Sequence, residues 1–225
     1  MKDKARSFGP FASSSVGDVT LERYLSERAV RVVIQPEATD EEGIVRAGAA
    51  TAVPITSDGY ALTVAHALDE LPVFVALPGE KRGRNLRVVW NGFEDADSKV
   101  DLALIHVRGP FPAWFDFAGD DELGSETPVA AAGFSGAGDL VFAGGELMDA
   151  PRQDDRLARV IAHTTPLSFG DSGGPLVLLD GRLVGVNFGS TVAPLAGRLS
   201  SKAMRPNLDW LAGLIKNDRE RASSR

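Results

Sequence analysis

The run Gly170-Asp171-Ser172-Gly173-Gly174-Pro175 sets a hydroxyl among glycines. Glycine flanks let backbone N–H groups approach a ligand closely, which is what a pocket for a developing oxyanion requires. A serine hydroxyl is a poor nucleophile at neutral pH and needs a positioned base. The same residues satisfy G-x-S-x-G, the strand-to-helix elbow of α/β-hydrolases, in which the catalytic histidine follows the serine. Here the histidines are His66, His106 and His163, all ahead of Ser172. The residues after Gly174 also read as a strand and turn, not a helix. A base must therefore come from upstream. His66 ends the strand-like run Leu62-Thr63-Val64-Ala65-His66, and Asp101 opens the apolar run Asp101-Leu102-Ala103-Leu104-Ile105. The order is His, Asp, Ser. Asp95 and Asp97 are rival acids, but they sit in the polar run 94–99, which reads as a solvated loop. His106 and His163 read as structural.

Composition bounds what such a site can belong to. The chain has 225 residues and a formal net charge of −7, which argues against a phosphate-binding surface and against nucleic acid as a partner. Cysteine is absent, excluding disulfides, thiol nucleophiles and Cys-ligated metal. With three histidines in all, a metal site is not expected, nor is any cofactor. No apolar run approaches the roughly 20 residues of a membrane helix, so no membrane partner is expected. The basic start Met1-Lys2-Asp3-Lys4 is followed by no apolar core of a secretory signal, and the expected location is the cytoplasm.

The elements that must position the site are mostly strands. Short runs rich in β-branched residues, bounded by Gly, Pro, Asn and Asp, recur at 30–34, 50–55, 60–64, 73–77, 86–90, 102–107, 129–132, 159–163, 176–179 and 183–186. Many short strands with frequent turns indicate an all-β sandwich or barrel. Ser57-Asp58-Gly59 marks a hairpin between two of them. Residues 1–19 read as a loose arm, followed by a short helix over 21–27. The stretch Arg108-Gly109-Pro110-Phe111-Pro112 opens a connection between two halves. A C-terminal helix is expected with Pro206 in its first turn and Leu208, Leu211, Leu214 and Ile215 on its apolar face, ahead of a polar tail from Lys216.

With these residues in order, the sequence resembles the trypsin-like, or chymotrypsin-fold, serine peptidases. Thr63-Val64-Ala65-His66 is similar to that family's T-A-A-H, Asp101-Leu102-Ala103-Leu104 to its D-[IL]-A-L, and Gly170 to Pro175 matches G-D-S-G-G-P throughout. The resemblance covers roughly residues 30–210. It implies two six-stranded antiparallel β-barrels with a C-terminal helix: an arm at 1–28, a first barrel at 29–112, a second at 113–204, and a helix and tail at 205–225. Compact bacterial members are the nearest in kind, and a bare protease domain is expected.

The resemblance also implies the roles. Ser172 would attack the scissile carbonyl, His66 would take and return the proton, and Asp101 would hold the imidazole in one tautomer. The N–H groups of Gly170 and Ser172 would form the oxyanion hole. Pro166 and Leu167 would lie at the base of the specificity pocket, where no carboxylate stands to attract a basic side chain. Asn187, Phe188 and Gly189 would align an extended protein or peptide substrate along a strand edge. The expected P1 residue is small or medium and apolar. Asp171, whose counterpart pairs with a newly released N-terminus in zymogen-activated relatives, is expected to pair with an internal Arg. A catalytically silent homologue that binds peptides, and an esterase, are the alternatives; the oligomeric state is not legible.

Overall fold

A computed structural model describes residues 6–8, 14–34, 48–69, 73–80, 82–95, 100–135, 138–148, 156–195 and 198–224. In chain order the elements are β1 (Arg6–Phe8), β2 (Ser15–Val16), β3 (Val19–Thr20), α1 (Leu21–Ser26), β4 (Val30–Ile34), β5 (Gly48–Pro54), β6 (Tyr60–Thr63), β7 (Val73–Ala76), β8 (Arg84–Asn91) and β9 (Ala103–Val107). These are followed by β10 (Pro128–Phe134), β11 (Leu140–Glu146), β12 (Ala158–His163), β13 (Pro175–Leu178), β14 (Leu183–Leu195), β15 (Arg198–Pro206) and α2 (Leu208–Ser223).

Strands β4 to β9 close into a barrel in the order β4-β5-β6-β9-β8-β7, every neighbour antiparallel. Its interior is filled by apolar side chains, among them Val32, Ala52, Leu62, Val75, Leu104 and Val107, all buried. Closure leaves no open edge to aggregate. The second half runs β11-β10-β13-β14-β15-β12. Its two ends meet at an antiparallel bridge between Leu147 and His163, flanked by Met148 N–H to Ala162 C=O at 2.9 Å and Thr164 N–H to Glu146 C=O at 3.0 Å. This makes a second six-stranded barrel. The two-barrel, all-β architecture with a terminal helix is thus the one expected.

Three details differ from expectation. The arm is not loose where it is described: β1 adds to β11 in parallel, and β2 and β3 form a small hairpin ahead of α1. Pro206 ends β15 instead of opening the helix; Asn207 is the cap, its side chain accepting the Trp210 N–H at 3.0 Å. The polar tail is helical through Ser223, and it docks by charge. Asp218 accepts from both Arg87 guanidinium nitrogens at 2.7 and 2.6 Å and from the Tyr60 hydroxyl at 2.8 Å, while Arg219 donates to Asp58. Leu211 and Ile215 are buried and Trp210 meets Trp90 edge to face at 4.7 Å. The helix follows the second barrel in sequence but packs on the first, so it straps the halves together. No helix among the described residues is long and apolar enough to cross a membrane.

Candidate active site

His66 sits in a single 3-10 turn, Ala65–Leu68, immediately after β6, and Asp101 just ahead of β9, the neighbour of β6 in the barrel. Their separation in sequence is closed by strand pairing, Thr63 standing opposite Ala103. Asp101 Oδ2 lies 2.7 Å from His66 Nδ1, and Asp101 Oδ1 accepts the His66 backbone N–H at 3.0 Å. A carboxylate on Nδ1 places the proton there and leaves Nε2 as the acceptor. The hydrogen bond to Asp101 raises the His66 pKa above its ordinary value, against the opposing effect of partial burial.

Ser172 lies on the turn between β12 and β13. Gly170 and Gly173 on either side have φ of +95° and +84°. A Cβ at Gly170 would stand 1.9 Å from the Phe134 carbonyl oxygen and one at Gly173 1.8 Å from that of Thr51, so both conformation and space demand glycine. Asp171 and Gly173 spend their N–H groups on Ser168 and Asn187, at 3.2 and 2.6 Å. Among the described residues the N–H groups of Gly170 and Ser172 have no protein acceptor. Two donors beside a hydroxyl are the elements of an oxyanion site. The turn is tied to the first barrel by the Thr51 N–H, which donates to the Ser172 carbonyl at 2.8 Å, and Thr63 Oγ1 donates in turn to Thr51 C=O at 2.8 Å.

Beside Ser172 a cavity of about 280 Å³ is lined by Leu167, Ser168, Phe169, Ser172, Gly189 and Ser190. Of the residues expected to bind substrate, Leu167 and Gly189 reach it. Pro166 lines a different cavity, of about 250 Å³, against β10, β11 and Asp171. Asn187 is wholly buried, its backbone exchanging bonds with Gly173 and Gly174, so it braces the serine turn and does not face a pocket. Phe188 packs against the core cluster shared with the first barrel. Ser168 and Phe169 line the cavity beside Ser172 without any expectation from the sequence. The signal for Phe169, an aromatic residue three before the nucleophile, was present; in the structure it is 95% exposed.

The expected arginine partner of Asp171 is not found among the described residues. Asp171 Oδ2 accepts the Ser168 N–H at 2.7 Å, Oδ1 is buried without a partner, and burial pushes the carboxyl pKa up. The side chain turns toward Gly133, where a Cβ would stand 2.5 Å from Oδ1. Asp95 accepts from the Trp90 ring N–H at 2.9 Å and is taken up in a local turn; Asp97 lies outside the described residues. His106 stacks edge-on against Tyr60 at 4.8 Å, and His163 is buried in the second barrel. No cluster of metal-ligating side chains occurs among the described residues.

A paired histidine and aspartate on one barrel and a glycine-framed serine turn on the other, tied to the first barrel through Thr51, are the elements of a peptidase-type site. A family model described as a trypsin-like peptidase domain matches residues 50–186, and the chain belongs to that family. Curated relatives include two proteins described as probable periplasmic serine endoprotease DegP-like. One, from Marinomonas sp. (strain MWYL1), is 28% identical over 59% of this chain and 28% of its own length. The other, from Halomonas elongata, is 26% identical over 80% of this chain and 37% of its own length. The chain thus spans about a third of the length of these relatives. A solved structure, the HtrA-type protease AlgW with a decapeptide, superposes with a TM-score of 0.67 at 18% identity, covering 87% of this chain and 66% of that one. That likeness bears on the fold.

Proposed function

We propose that the chain is a serine endopeptidase in which Ser172, His66 and Asp101 form the catalytic triad. The observation that carries this is the double engagement of His66 by Asp101, through the ring Nδ1 and the backbone N–H at once. Membership of the trypsin-like peptidase family gives the reaction class. The Ser172 Oγ–carbonyl carbon bond forms as the hydroxyl proton passes to His66 Nε2, and the oxyanion is received by the Gly170 and Ser172 N–H groups. The C–N bond then breaks, His66 returning the proton to the leaving amine. Water repeats the cycle on the acyl-enzyme and frees Ser172. No metal or cofactor is needed for these steps.

The substrate in this reading is an extended protein or peptide segment. Beyond Asn187, whose backbone is taken by Gly173 and Gly174, β14 keeps its pairing with β15 while the ladder to β13 has ended, so the stretch Phe188–Gly189 offers a strand edge for backbone pairing among the described residues. The cavity beside Ser172 is walled by Leu167, Phe169 and Gly189 and has no charged side chain in its lining, which supports a small or medium apolar P1 residue. A peptide library digested with the protein and with Ser172→Ala tests both parts. Cleavage after Val, Ala or Leu that disappears in the variant is expected. Cleavage after Arg or Lys overturns the P1 reading, and cleavage that persists in the variant overturns the assignment of Ser172.

A further inference from the structure

Thr51 lies on β5, in the middle of an otherwise apolar run, and is wholly buried. All of its polar atoms are turned to the serine loop and the histidine strand. Its N–H donates to Ser172 C=O at 2.8 Å, and its hydroxyl donates to Gly170 C=O at 2.9 Å. The same hydroxyl accepts the Phe134 N–H at the end of β10, at 2.9 Å. Its carbonyl accepts from Thr63 Oγ1 at 2.8 Å, three residues ahead of His66. A buried hydroxyl is costly unless bonded, and here both of its bonds satisfy backbone groups that would otherwise be orphaned.

The two residues whose carbonyl oxygens Thr51 holds are the two whose N–H groups stand open beside Ser172. We infer that Thr51 is the positioning residue of the oxyanion hole, its hydroxyl fixing the pitch of the Gly170 turn while its N–H fixes Ser172. The inference rests on the catalytic reading above. The relay from Phe134 N–H through Thr51 Oγ to Gly170 C=O joins both barrels to the turn, and each bond polarises the next. Gly170, with its positive φ, has no side chain of its own to anchor it, and its carbonyl is held by the Thr51 hydroxyl. Thr51 touches no reacting atom; it acts through the geometry of the donors.

The test compares Thr51→Val, which keeps shape and removes the hydroxyl, with Thr51→Ser, which keeps the hydroxyl. A chromogenic peptide with Val at P1 gives kcat and KM, and the matching peptide boronic acid, whose tetrahedral adduct places an oxygen in the hole, gives a second readout. Assays are run well below each variant's Tm. Thr51→Val is expected to lower kcat about tenfold or more with KM within about twofold, since displaced donors lose transition-state stabilisation alone. Boronate affinity should fall by a similar factor, and Thr51→Ser should restore both. A Thr51→Val that loses Tm but keeps kcat overturns the inference, as does a Ser variant as poor as Val. If Val does not fold, Thr51→Ala, which opens space in place of a methyl group, must show the same kcat loss; wild-type kcat in folded Thr51→Ala overturns it. Wild-type protein that neither cleaves the peptide nor binds the boronate overturns the catalytic reading itself, and this inference with it.

Discussion

Asp101 grips His66 with both carboxylate oxygens, one on the imidazole and one on the backbone amide of the same residue. The ring and the chain that carries it are thereby fixed by one side chain. Because the bond to Asp101 favours the charged imidazolium, the His66 pKa lies above its ordinary value of 6.5. A base must be neutral to accept a proton, so kcat/KM should rise with pH through a midpoint above 6.5. Titration of the His66 ring by NMR should show the same midpoint, and Asp101→Asn should lower it while cutting kcat by about 10⁴-fold, as in a comparable triad. An unchanged midpoint in the variant would contradict the pairing.

His163 behaves oppositely. Burial lowers its pKa to about 4, and the contacts to Asn187 and the Lys202 backbone offset only part of that. The unfolded chain therefore binds a proton that the folded one refuses between pH 6.5 and about 4, so stability falls as pH drops through that window. Urea titrations of the protein and of His163→Gln across this range check it. The wild type should show the steeper acid loss, and parallel curves would show that another group is responsible.

Asp171 carries the complementary penalty. With its carboxyl pKa raised by burial, the ionised form is disfavoured in the folded state. The cost is absent below the unfolded value of 3.8 and grows as pH rises through the folded pKa. Asp171→Asn should then match or exceed the wild-type Tm at pH 7, with the difference vanishing in acid. A variant markedly less stable at neutral pH would mean that the carboxylate has a cationic partner after all.

The strap of α2 is testable through Tyr60. Burial and the bond to Asp218 push the Tyr60 hydroxyl up to about 12. Asp218 itself is held below its ordinary value by Arg87, so what it adds to stability is present above pH 3.8 and lost as pH falls through its lowered pKa. Asp218→Asn should bring Tyr60 ionisation back toward 10, read by ultraviolet absorbance. Because Arg87 is half exposed, the stability loss should be about 1 kcal/mol or less, or about 2–4 °C in Tm. A Tyr60 titration indifferent to the substitution would argue that the helix does not dock there.

Most of the strands could be read because β-branched runs are bounded by turn residues, and each of the ten runs falls on or within a residue of a strand. Two long strands escaped. β11 contains Gly144 and Gly145, which break the strand signal, and β15 buries Ser201 and Arg205 on one face, so that face does not look apolar. Arg205 is tolerated there because its guanidinium donates to the carbonyls of Ala118, Leu183 and Val184 and to Asp120, partners distant in sequence. The extension of α2 to Ser223 was hidden for a like reason: Asp218 and Arg219 look like a solvated tail until Arg87, Tyr60 and Asp58 are seen opposite. In the site, His66, Asp101 and Ser172 stood out by residue type and order. Thr51 did not, since a lone threonine in a strand is unremarkable until its partners are brought to it by the fold. The burial of the Asn187 side chain was likewise not legible, since a bulge follows it in β14 and its backbone partners Gly173 and Gly174 come from the serine turn.

The central claim is that Ser172 is an activated nucleophile served by His66 and an assembled oxyanion hole. Treating the protein with a fluorophosphonate probe and mapping the adduct by mass spectrometry tests it directly, with His66→Ala alongside. The account predicts a single adduct on Ser172, formed at least about 10³-fold more slowly in the variant. No adduct on Ser172, or equal labelling without His66, would contradict it.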